Sequence, residues 1–177
     1  MSGYRANNFL DTEAIEGVSS VAVLPFHNLS KQVNAGVIVT NMLMAELIQH
    51  DQFQVVKYGD LRNFFLQRRM IVISSVDIKV LRALRQEFRV DAVIMGTVLQ
   101  YEDGGGSTNN KKNVPPSIAI NSKILDTRTG RILAKGEFME KGSATGYLLS
   151  DRDRQLAFAL ARDFAQKLIS KIGTHGA

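Results

Sequence analysis

Hydrophobic positions along this chain alternate between two periods. "SVAVLPF" (Ser20–Phe26) is a compact apolar run with β-branched valines that ends at Pro25, which predicts a buried strand. In "AGVIVTNMLMAELIQH", Val39, Met42, Leu43 and Leu47 recur at helical spacing, with Thr40, Asn41 and Glu46 off that face and Asn34 placed to cap the start. "FQVVKY" predicts a second short strand. "GDLRNFFLQRRM" predicts a helix with Asp60 in its first turn, where a carboxylate offsets the helix dipole. Ser75 is the expected cap of "VDIKVLRALRQEFR", whose inner face is Val80, Leu81, Leu84 and Phe88 and whose outer face carries Arg82, Arg85 and Arg89.

"DAVIMGTVLQYE" predicts a third strand, buried on both faces at its apolar start. "DGGGSTNNKKNVPP" offers no core residue and predicts a connection. In "SIAINSKILD", Ile118, Ile120, Ser122 and Ile124 share one side by the two-residue period of a strand. "DTRTG" predicts a tight turn with positive φ at Gly130, and "RILAKGEFME" returns as the last strand. Ser150 is placed to cap a long final helix with Leu156, Leu160, Phe164, Leu168 and Ile172 in one row. The order β-α-β-α-α-β-β-β-α combines βαβ-type crossovers with a β meander. It predicts an α/β fold: a single-domain sandwich with a mixed β-sheet and helices packed on it. Residues 1–17 show no sustained periodicity and are expected to form a flexible tether, with residues 18–174 as the one domain.

Composition narrows the class. With 177 residues, 45% hydrophobic and 22% charged, the chain can bury an ordinary globular core. No apolar stretch approaches the roughly 18 residues of a membrane helix. The first twenty residues lack the basic and apolar regions of a signal peptide, so the chain is either cytosolic or preceded by a removed signal. Absence of cysteine excludes disulfides and thiolate chemistry. The net charge of +5 is concentrated in Lys57–Val90, where eight basic residues face three acidic ones. That segment reads either as solvated helix faces or as a patch for an acidic partner.

Catalytic signatures are missing. "FHNLSKQVNAG" has a lysine and a serine but one glycine, at the wrong end for the G-x-x-x-x-G-K-[ST] cradle. "GGGST" precedes a proline-led strand rather than a helix N-terminus. His27, His50 and His175 have no second ligand at metal-binding spacing, and G-x-S-x-G is absent. No catalytic, cofactor-binding or metal-binding residue is assigned, and the chain is not expected to be an enzyme. Asn28-Leu-Ser30 matches a glycosylation sequon, a three-residue pattern of low specificity.

Taken in order, "VAVLPFHNLS", a helix, "FQVV", "FRVDAVIMGTVLQYE" and "ILDTRTGRILAKGEF" resemble an envelope lipoprotein family. Its members include CsgG, the amino-terminal domain of TolB, LpoB and the Pel exopolysaccharide lipoprotein PelC. The resemblance runs from about Ser19 to Ile172, and the spacing of "PFHNLSKQVNAG" into a helix, the compact length and the long final helix are most similar to PelC. It implies an α/β sandwich, a lipidated cysteine upstream of these residues, and a periplasmic location on the inner leaflet of the outer membrane. It further implies a homo-oligomeric subunit of an exopolysaccharide export assembly, in contact with an outer-membrane pore or other envelope protein and with an anionic or charged polymer. An alternative from the same family is an envelope regulator that binds a peptidoglycan synthase. A nucleic-acid-binding domain built on the basic helices is a third, weaker reading, without any recognisable reading module. Contact residues expected from the sequence are Tyr147, Leu148 and Leu149 for a membrane or partner, and Arg82, Arg85 and Arg89 for an acidic partner.

Overall fold

The computed structural model describes residues 9–10, 15, 17–49, 53–70, 76–102, 116–141 and 169–170. Its strands are β1 (Phe9–Leu10), β2 (Ser20–Val23), β3 (His27–Asn28), β4 (Gln54–Val55), β5 (Ala92–Glu102), β6 (Ser117–Asp126) and β7 (Ile132–Lys141). The helices are α1 (Ala35–Gln49), α2 (Tyr58–Gln67) and α3 (Ile78–Phe88). One mixed sheet runs β1-β7-β6-β5-β2-β4, with β3 also on β5. β2 pairs in parallel with β4 and β5, while β5, β6, β7 and β1 pair antiparallel in turn. The βαβ half and the meander therefore meet at β5, as the element order predicts.

Alternation along the strands sorts side chains into two cores. Val21, Val23, Ala92, Ile94, Ile118, Ile120 and Ile124 pack with Val39, Leu43 and Leu47 of α1. Ala22, Leu24, Val93, Met95 and Leu125 pack with Leu61 and Phe64 of α2 and Leu81 and Leu84 of α3. Helices thus cover both sheet faces, and the first four residues of β5 are buried on both sides.

Several expectations are refined. Phe9–Leu10, in the stretch expected to be a tether, pairs with Lys135 and Ala134 of β7, and Ile15 is buried in the α1 core. Thr40 and Glu46 are buried although they lie off the predicted apolar face of α1. Thr40 is polar but not idle: its Oγ1 donates to the Gly36 carbonyl at 2.7 Å and accepts from the Phe26 N–H at 2.9 Å. Asp77 caps α3, accepting from the Lys79 N–H at 3.3 Å; Ser75 lies outside the described residues. Gly130 takes φ 74° as the turn requires. Of the final helix only Ile169 and Ser170 are described. Ile169, which follows Leu168 of the predicted row, is in the α1 core, and the row itself lies outside the described residues.

The chain does not leave the sheet at Pro25. Val23 is opposite Ile94 and His27 is opposite Thr97, so β2 and β3 spend four steps where β5 spends three. The extra residue falls at Pro25, which has no N–H to give the ladder. Pairing resumes beyond it, with the Leu29 N–H donating to the Val98 carbonyl at 2.9 Å. The irregularity turns Phe26 inward, and two glycines make room for it. A methyl group at Gly36 would strike the Phe26 carbonyl, and one at Gly96 would strike the Phe26 ring and the Asn121 carbonyl. Gly96→Ala is therefore expected to cost about 1–3 kcal/mol in urea unfolding. An unchanged midpoint would show that Phe26 is not seated against β5.

Candidate functional site

The loop after β3 is closed upon itself. Asn28 Nδ2 donates to the carbonyls of Gln32 at 2.7 Å and Val33 at 3.1 Å, while its Oδ1 accepts from the Ser30 N–H at 3.0 Å and the Ser30 hydroxyl at 2.7 Å. Both ends of the amide are engaged in shaping the turn. That accounts for Asn28 structurally and leaves its Nδ2 poorly presented as a glycosylation acceptor. The turn delivers the chain to α1, where the Ile38 N–H donates to the Asn34 carbonyl at 2.9 Å.

At the opposite end of the same strands lies a polar knot. Asp91 Oδ2 accepts from the Ser19 N–H at 3.1 Å, the Ser19 hydroxyl at 3.0 Å and the Ser20 N–H at 3.0 Å, and lies 2.9 Å from Ser20 Oγ. Ser20 Oγ in turn accepts from the Asp91 N–H at 3.0 Å and is 2.9 Å from the Arg89 carbonyl. Thr127, fully buried, sets its hydroxyl 2.6 Å from the Val90 carbonyl and 2.9 Å from the Asp91 carbonyl. Burial by itself pushes the Asp91 carboxyl up, but the Ser19 and Ser20 donors outweigh it and hold the group below its ordinary value. This knot ties the start of β2, the start of β5 and the β6–β7 turn together. It is a structural device.

The basic helices are partly committed to the same region. Arg85 Nη1 lies 3.7 Å from Asp91 Oδ1 and donates to the Thr127 hydroxyl at 3.3 Å. Arg82 Nε donates to the Arg128 carbonyl at 3.4 Å. Arg89 ends α3 in the left-handed conformation, φ 55°, with its N–H on the Arg85 carbonyl at 2.8 Å. On α2, Arg68 pairs with Glu87 at 3.2 Å and lies over the Phe64 ring, 4.0 Å from its centroid. Arg82, Arg85 and Arg89 are all exposed on one side of α3, and the turn adds exposed Arg128 to that side. Tyr147, Leu148 and Leu149 lie outside the described residues.

A surface that sequence reasoning missed is the outer side of α1. Glu46 is the helix's only charged residue, and it is buried. Val37, Asn41, Ala45 and Ile48 face outward at spacings of three and four. Val37 and Ile48 are 60% and 61% exposed, and Leu29 and Val33 in the preceding loop are 61% and 87% exposed. A solvent-facing helix side usually carries charge, and this one carries none. The signal was in the sequence: fifteen residues with one charge.

These features define an α/β domain built on one mixed sheet with helices on both faces. The chain belongs to the family of the curli production assembly/transport component CsgG, which matches residues 11–146, well over half its length. Among solved structures it is similar to the PelC dodecamer from Paraburkholderia phytofirmans, with TM-score 0.60 and 13% identity over 97% of both chains. It is also similar to lipoprotein GNA1162 from Neisseria meningitidis, with TM-score 0.54 and 21% identity over 85% of this chain and 99% of that one. The LpoB C-terminal domain from Salmonella enterica matches with TM-score 0.51 and 14% identity over 75% of this chain and 96% of that one. No curated protein matches in sequence.

The knot makes a pH-dependent prediction. A carboxyl held below its unfolded value contributes stability that is complete above the unfolded value, near 3.8, and is lost as pH falls through the folded one. Asp91→Ala also strands the Ser19 and Ser20 N–H groups, and is expected to cost about 1–3 kcal/mol in urea unfolding at pH 7. The gap to the parent protein should narrow on acidification below pH 4. A gap that stays constant to pH 2 would assign the loss to packing instead.

Proposed function

We propose that this chain is the folded part of a non-enzymatic envelope lipoprotein, on the periplasmic side of the outer membrane. It assembles with copies of itself as a subunit of a polymer-export assembly, through the outer side of α1 and the loop that precedes it. The observation that carries this reading is the uncharged outer side of α1, with Leu29, Val33, Val37 and Ile48 in water. Exposed large apolar side chains grouped on one helix side and its leading loop suit a protein or membrane contact. The family's description as an assembly/transport component and the dodecameric state of PelC support a second copy as that contact. GNA1162, itself a lipoprotein, supports the envelope location.

In such an assembly the exposed Arg82, Arg85, Arg89 and Arg128 would face an acidic partner or a charged polymer. Arg85 would contribute least, since part of its charge already serves Asp91. Tyr147, Leu148 and Leu149 remain the proposed contact with the membrane or an outer-membrane pore. The likeness to the LpoB domain supports a second reading, an envelope regulator that holds a peptidoglycan synthase by the same apolar surface.

The test is the mass of the native chain by light scattering, beside a variant carrying both Val33→Asp and Val37→Asp. Both side chains are exposed, so the variant is expected to keep its circular dichroism and melting temperature. The expected result is a multi-subunit parent and a monomeric variant. A parent that stays monomeric at high concentration, or a variant of equal mass, contradicts self-assembly through α1. A monomer that co-purifies with a synthase, and loses it on the same substitutions, selects the regulator.

A further inference from the structure

Arginines from two elements meet at the β6–β7 turn. Arg82 Nε donates to the Arg128 carbonyl at 3.4 Å, and Arg85 Nη1 donates to the Thr127 hydroxyl at 3.3 Å. Two guanidinium groups three residues apart on α3 are thus held against consecutive residues of the turn, and the second of those residues is itself an exposed arginine. Arg89, four residues beyond Arg85, is exposed on the same side of α3.

The carboxylates nearby are already engaged. Among the described residues, only Arg85 of these four arginines pairs with an acid, Asp91 at 3.7 Å. The other oxygen of Asp91 is committed to Ser19 and Ser20. Asp126 Oδ1 accepts from the Arg128 N–H at 2.6 Å and the Thr129 N–H at 2.9 Å, so it holds the turn. The Thr129 hydroxyl oxygen accepts from the Arg131 N–H at 3.3 Å, which leaves its O–H as a further donor beside Arg128. Like charges gathered in this way repel, and a bound anion relieves the repulsion. A carboxylate offers two oxygens in one plane and is filled by a single guanidinium fork. Forks that arrive from a helix and from a turn need acceptor oxygens in more than one plane, which a tetrahedral phosphate has.

We propose that Arg82 and Arg128, with Arg89 and the Thr129 hydroxyl at the margin, bind a phosphate group carried by a lipid headgroup or by a soluble phosphate ester. Arg85 takes the smallest share, because Asp91 already draws on its charge. The phosphate is the chemistry of the acidic partner proposed above for this arginine surface, so the site rests on that reading but not on self-assembly through α1.

The test is an amide-resolved NMR titration of the full chain with inorganic phosphate and with succinate, a dicarboxylate, at constant ionic strength. It runs beside sedimentation with vesicles of phosphatidylcholine, with and without phosphatidylglycerol. The expected result is saturable shifts at Arg82, Arg128 and Thr129 with phosphate, at least roughly tenfold weaker with succinate. Arg128→Gln, at an exposed position, should weaken phosphate binding by about tenfold or more with an unchanged melting temperature. Arg62→Gln removes the same charge from α2, away from the turn, and should leave phosphate affinity within about twofold. Sedimentation with phosphatidylglycerol vesicles that Arg128→Gln abolishes places the phosphate on a lipid. Phosphate shifts without sedimentation place it on a soluble ester. No saturable shift with phosphate, full affinity in Arg128→Gln, or an equal loss in Arg62→Gln would each overturn the site. Succinate binding as strong as phosphate binding would overturn phosphate as the ligand and leave the acidic-partner reading standing.

Discussion

The first four residues of β5 must be buried on both faces while the neighbours of the strand run parallel on one side and antiparallel on the other. Everything else is arranged to hold it there. Its register with β2 is fixed at one end by Asp91, which gathers the hydroxyls and N–H groups of Ser19 and Ser20. It is fixed further along by Phe26, whose ring lies against Gly96. Thr127 adds the β6–β7 turn to the first of these contacts through the carbonyls of Val90 and Asp91. A one-residue slip of β5 would exchange Ala92 and Ile94 with Val93 and Met95 between the two cores and would break the knot as well. The apolar pattern and the polar knot therefore enforce the same register.

Around that centre the two sides of the sheet are finished differently. On one side, α2 and α3 keep charge outward, and part of that charge is drawn into holding the molecule together: Arg85 on Asp91 and Thr127, Arg68 on Glu87 and Phe64. On the other side, α1 buries Val39, Leu43 and Leu47 and still shows valine and isoleucine to solvent. The first pattern suits a surface that meets water or a charged partner. The second suits a surface that will be covered. The described residues thus combine a packed core with apolar side chains on an outer helix side, and that combination supports the proposed self-assembly.

Much of the fold was legible because the two periods are well separated in this sequence. Ile118, Ile120, Ser122 and Ile124 share a face as alternation requires, and Leu81 and Leu84 are the buried centre of α3. The departures come from contacts between distant segments. Pro25 reads as a strand end, yet a single extra residue absorbs the missing N–H and pairing resumes at His27. Ser75 and Asp77 are both competent caps, and only the position of the first turn chooses Asp77. Thr40 looks polar, but the Phe26 N–H needs an acceptor inside the core. Phe9–Leu10 is too short to show a period and is held by the edge of β7. The basic residues of α3 were visible, whereas Asp91 gave no local sign of its role, because its partners lie some seventy residues earlier. Val37 and Ile48 on the outer side of α1 were visible too. They were overlooked because a helix with a good inner face invites no question about its outer one.

The central claim is that the outer side of α1 is covered in the working state. The most direct measurement is hydrogen–deuterium exchange of the native chain over a range of protein concentrations. The account predicts that peptides spanning residues 29–41 gain protection as concentration rises, while those covering the start of β5, already buried on both faces, do not change. Protection of residues 29–41 that is identical at all concentrations, in the absence of any partner, would contradict self-association through this surface.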